Sequence, residues 1–117
     1  MAITGTHLLI YTSEAEAARD ALRDAFGFDH VDTGGGWLIF RMPPAELGVH
    51  PAETSNAHQI SFMCDDAKQT AVDLAEKGVA VDNDFVTHDW GISFNATLPG
   101  GVEVMVYEPT HAMAIDS

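Results

Sequence analysis

Hydrophobic positions along the chain fall into short runs with strand character, separated by stripes with helical spacing. Thr6 to Thr12 reads as a strand that is apolar on both phases. Ser13 then opens a helix, with Ser13 and Glu16 at the spacing of a capping box. Ala18, Leu22, Ala25 and Phe26 lie on one face of that helix and Gly27 ends it. Trp37 to Met42 is a strand by its aromatic and β-branched content. A shorter strand, Glu46 to His50, lies between Pro43-Pro44 and Pro51.

From Ala57 the pattern repeats. Gln59 to Cys64 is an apolar strand, Asp65 and Asp66 supply a cap, Ala67 to Lys77 is a helix with Ala71, Leu74 and Ala75 on one side, and Gly78 ends it. Glu14 to Gly27 spans 13 positions, and so does Asp65 to Gly78. Val79 to Val81, Asp84 to Thr87, Gly91 to Leu98 and Val102 to Tyr107 complete the second copy, the last two joined at Pro99-Gly100-Gly101. The expectation is an α+β domain over residues 1–117, built from two βαβββ modules, about 5–52 and 57–110, that form a curved, mainly antiparallel sheet around a central cavity.

Period-two alternation assigns the two faces of that sheet. Val102, Val104 and Val106, with Ile60, Phe62 and Cys64, belong under the helices. Glu103, Met105, Tyr107, Gln59, Ser61 and Met63 then face the hollow, joined by His7, Leu9 and Tyr11 and by Glu46 and His50. Apolar walls with a few polar groups suit a small-molecule pocket.

Composition narrows the partners. The 117 residues carry 5 Lys+Arg against 18 Asp+Glu, a formal net charge of −13, which excludes a phosphate-binding face for nucleic acid or an anionic membrane. With 46% hydrophobic residues the chain is a folded domain and not an acidic tail. Met1 to Thr12 has no signal-peptide pattern, no apolar run is long enough to span a bilayer, and Cys64 is the lone cysteine, so a cytoplasmic protein is expected.

The segments T-H-L-L-I-Y-T-S-E, I-S-F-M-C-D-D and L-P-G-G-V-E-V-M-V-Y-E-P, set in a duplicated βαβββ pattern, resemble the vicinal oxygen chelate superfamily of glyoxalases, bleomycin resistance proteins and dioxygenases. W-L-I-F-R-M-P-P-A-E-L-G-V-H-P and the M-C-D-D and W-G segments are similar to a bacterial branch usually labelled only glyoxalase-like or dioxygenase-like. The resemblance implies a homodimer and a small-molecule ligand or substrate. It also implies a site for a divalent metal, Zn, Ni, Mn or Fe, held by His, Glu or Gln. His7, seven residues before Glu14, matches a ligand position, and Gln59, six before Asp65, is the second-half counterpart. Glu46 is the counterpart at the end of the first half. The final carboxylate is replaced by Met105, four residues after Gly101, and a thioether does not suit a hard cation.

Catalytic candidates are therefore Glu103 and His7, pocket candidates Tyr11, His50, Gln59, Ser61, Met63, Met105 and Tyr107, and metal candidates His7, Gln59 and Glu46. A carboxylate among apolar neighbours can act as a general base, and Glu103 can equally pair with Arg41. His88, beside Trp90-Gly91, sits at the rim as a lid or ligand contact or as a solvated loop. The leading expectation is a binder, or an enzyme without the standard metal. A metal-dependent lyase, isomerase or dioxygenase using His7, Glu46 or His50, Gln59 and Glu103 stands beside it, as does a non-catalytic structural or regulatory domain.

Overall fold

The second half carries the best-formed core. In the computed structural model, which describes residues 6–116, α1 (Ala15–Asp24) is followed by the hairpin of β1 (His30–Asp32) and β2 (Leu38–Phe40). Then come β3 (Ser61–Met63), α2 (Ala67–Glu76), β4 (Ala80–Val81), β5 (Val86–His88), β6 (Gly91–Leu98), β7 (Val102–Pro109) and a 3-10 turn, Ala114–Asp116. Residues 1–5, including residue 5 where module one was expected to begin, and residue 117 lie outside the described residues. The larger sheet runs β3-β7-β6-β4, with β5 also on β6. Among the described residues its β3–β7 pair is parallel and its other pairs antiparallel, α2 and β4 to β6 forming the long connection that parallel neighbours require.

The faces are those that alternation assigns. Phe94, Ala96, Leu98, Val104 and Val106 are buried against Ala67, Ala71 and Leu74 of α2, with Ile60, Phe62, Cys64 and Val102 packed alongside. Each large side chain that leaves water here stabilises the fold by about 1.5–3 kcal/mol. Asp66 caps α2 by accepting from the Gln69 amide at 3.0 Å. Gly78, at φ 88°, closes it as Val79 N–H donates to Leu74 C=O and Gly78 N–H to Ala75 C=O. A second, cross-element contact holds the helix start: Ala67 N–H donates to the Glu108 carboxylate at 3.0 Å.

The first half departs from expectation. Thr6–Thr12 and Glu46–His50 form no ladder strand. A strand exists only by pairing, and neither segment finds a neighbour in its own chain; Leu9, Tyr11, Leu47 and Val49 stand 60%, 85%, 93% and 94% exposed. The capping box at Ser13 also fails. α1 is preceded by Glu14, whose side chain makes no cap bond, and it is Thr12 Oγ1 that accepts from the Glu14 amide at 3.2 Å. That same hydroxyl donates to Pro99 C=O at 2.8 Å, hooking the first half to the β6–β7 turn. Trp37–Met42 shortens to β2, whose partner β1 lacks the apolar alternation that would have announced it. The strand expected at Asp84–Thr87 begins at Val86, because Asp82 accepts from the Asp84 amide and Asn83 takes φ 55°, leaving that stretch as a turn.

Candidate functional site

Register fixes the polar face of the larger sheet. Ser61 lies opposite Met105 and Met63 opposite Tyr107; across the other edge of β7, Ser93 pairs with Tyr107, Asn95 with Met105 and Thr97 with Glu103. Directly paired residues share a face. Ser61, Met63, Met105, Tyr107 and Glu103 therefore come together as alternation expects, and Ser93, which is 7% exposed, joins them.

At one end of this face four rings converge. The His88 imidazole and the Trp90 indole stack in parallel, 4.1 Å between centroids and 7° between planes. Trp90 meets Tyr107 edge-on at 5.2 Å and 84°. Tyr107 lies 5.9 Å from the His111 ring. Gly91 makes room for this: a Cβ there would stand 3.0 Å from the Tyr107 ring and 2.5 Å from Glu108 C=O.

Hydrogen bonds fix the imidazoles. His111 Nδ1 lies 2.8 Å from Ala112 C=O, which can only accept, so Nδ1 carries the proton and Nε2 accepts from the Tyr107 hydroxyl at 3.0 Å. His88 Nε2 is 2.9 Å from Ser93 Oγ. Thr110 holds the chain in place for His111, its N–H donating to Trp90 C=O and its hydroxyl to Asp89 C=O. Glu46 reaches the same end of the sheet, accepting from the Ile115 amide at 3.2 Å. Burial, and secondarily the Glu46 carboxylate, push the Tyr107 phenol above its ordinary pKa.

The remaining expected residues lie elsewhere. His7 lines a cleft beside α1, Tyr11 points into solvent, Gln59 is exposed, and His50 is an exposed loop residue whose Nδ1–H donates to Pro51 C=O at 2.7 Å. Glu103, though on the polar face with Met105 and Tyr107, is exposed, and among the described residues it forms no ion pair with Arg41. Among the described residues no three His, Cys, Asp or Glu side chains converge as metal ligands. His7 lines the cleft beside α1 whereas Glu46 accepts from the Ile115 amide, so these two expected ligands occupy different places in the fold.

His111 lay outside what alternation could reach, because it follows Pro109 and owes its position to the Thr110 turn. Ser93 had a signal that was available: it occupies the same phase of β6 as Asn95 and Thr97, facing Tyr107.

No family model matches the chain, and neither does any curated protein. Solved structures do match. The antibiotic binding protein TnmS3 from Streptomyces sp. CB03234 aligns over 94% of this chain and 99% of its own, at 25% identity and a TM-score of 0.66. A glyoxalase/bleomycin resistance protein/dioxygenase superfamily member from Sphaerobacter thermophilus DSM 20745 aligns over 91% and 98%, at 21% identity and 0.64. The chain has a vicinal oxygen chelate fold. A lactoylglutathione lyase from Agrobacterium tumefaciens shares that fold, over 92% of both chains at 22% identity and a TM-score of 0.59. Within the vicinal oxygen chelate scaffold, the ring cluster lies on the sheet face opposite the helices.

Proposed function

We propose that this protein is a small-molecule binder that holds a flat, conjugated ligand on the polar face of the β3-β7-β6 sheet. One observation carries the proposal: His88, Trp90, Tyr107 and His111 form a continuous aromatic wall, with hydrogen-bonding groups at Ser93 and at the Tyr107–His111 pair. Rings offer a conjugated molecule offset or edge-on contacts worth about 0.5–1.5 kcal/mol each beyond area burial. Met63 and Met105, half-buried beside Tyr107, are soft enough to adapt to an irregular outline. The net charge of −13 favours a neutral or cationic ligand over an anionic one at this face. The likeness to an antibiotic binding protein supports a sequestering role. Isothermal titration with bleomycin and with the flat cation acridine orange tests the proposal, and turnover of the hemithioacetal of methylglyoxal and glutathione is the result that would favour a lyase instead.

The binder acts as a homodimer. Leu9, Tyr11, Leu47 and Val49 are apolar or aromatic, exposed, and belong to two segments whose residues favour strands yet find no ladder in the single chain. A second copy related by a two-fold axis would cover the same segments in both subunits. Among the described residues no helix is long and apolar enough to cross a membrane.

A further inference from the structure

A second recess, walled mainly by apolar side chains, lies away from the ring-lined face. It is a cleft of about 190 Å³ between the Thr6–Thr12 segment, α1 and β2, lined by Ile10, Leu22, Phe28, Trp37, Phe40 and Phe62 among others. A cavity of about 150 Å³ with such walls stays dry and accepts benzene, so this one takes a single ring or a short alkyl chain.

The charge at this cleft runs against that of the protein. The chain has 18 acidic residues and 5 Lys+Arg, yet the titratable side chains lining the cleft are Arg19 and His7, with no carboxylate. Arg19 forms no ion pair among the described residues; the ion pairs present there join Arg23 to Asp20 and Asp24. Its guanidinium carbon instead lies 4.7 Å from the centroid of the Trp37 ring. Stacking engages the face of a guanidinium and leaves its in-plane N–H fork free for a planar oxyanion.

We propose that this cleft is a second binding site, selective for a small aryl or short alkyl carboxylate, whose apolar part fills the recess while Arg19 takes the carboxylate at its edge. Trp37 is the natural reporter. The chain has two tryptophans, and Trp90 belongs to the other site, so a Trp90→Phe protein reads the cleft alone. Phenylacetate is the probe and 2-phenylethanol its uncharged control. In Trp90→Phe, phenylacetate is expected to change Trp37 emission saturably and to bind about tenfold more tightly than the alcohol, a difference of about 1.4 kcal/mol. Adding Arg19→Gln abolishes that preference without changing alcohol binding, and Arg19→Lys, which keeps the charge but not the fork, restores only part of it. Circular dichroism confirms that both variants keep their helices. No saturable response to phenylacetate, equal affinity for the alcohol, or full carboxylate preference in Arg19→Gln would each overturn the proposal, whatever the ring-lined face binds.

Discussion

The Tyr107 hydroxyl lies 3.0 Å from His111 Nε2, joining the last strand of the sheet to the segment that follows it. Burial of the phenol, and secondarily the nearby Glu46 carboxylate, favour the protonated tyrosine in the folded state. A group whose folded pKa is raised contributes stability at pH values below its unfolded pKa, here 10.0, and loses it as pH rises through the higher folded value. Unfolding free energy is therefore expected to fall above about pH 10, and Tyr107→Phe to flatten that fall. At neutral pH the same variant costs about 0.5–1.5 kcal/mol through the lost hydrogen bond. Urea denaturation at a series of pH values reads both effects, and identical slopes in the two proteins above pH 10 would contradict the first.

The two helices start in different ways, and single substitutions expose the difference. Asp66 caps α2 through the Gln69 amide, so Asp66→Ala should destabilise by about 1 kcal/mol. Ser13 stands one residue before the α1 cap position and has no cap bond of its own, so Ser13→Ala should leave the midpoint almost unchanged. Thermal melts of both variants check the pair. Equal losses would mean that the capping box written in the sequence does form.

Dimerisation is expected to depend on the segment around Leu47. Light scattering on the purified protein should give twice the 12.6 kDa chain mass. Leu47→Asp with Val49→Asp should give the single-chain mass while leaving the α2 core, to which neither residue contributes, folded. A wild-type monomer would refute the covered-segment argument directly.

The second half was legible because its code is local. Alternation in Val102–Tyr107 and the Asp66 and Gly78 signals specify faces and ends without reference to distant partners, and the structure keeps them all. The same logic failed at Thr6–Thr12 and Glu46–His50, where side chains suited to a strand lack a neighbour to pair with in one chain. Of the site, Ser61, Met63, Met105 and Tyr107 could be placed on one face from spacing alone. The ring cluster could not, since His88 and His111 reach Tyr107 through a hairpin and a turn whose closure depends on Trp90 and Thr110 backbone contacts. His7, at a position matching a family ligand, lies in a segment that sets it at the α1 cleft.

The most direct test of the ring-lined face is calorimetric titration of bleomycin and acridine orange into the wild-type protein, Trp90→Ala and Trp37→Phe. Saturable binding in the wild type is expected with the flat acridine orange or with bleomycin, weakened about tenfold, or about 1.4 kcal/mol, in Trp90→Ala and unchanged in Trp37→Phe. Absence of heat with both probes, or equal affinity in wild type and Trp90→Ala, would contradict the assignment of this face as the ligand site.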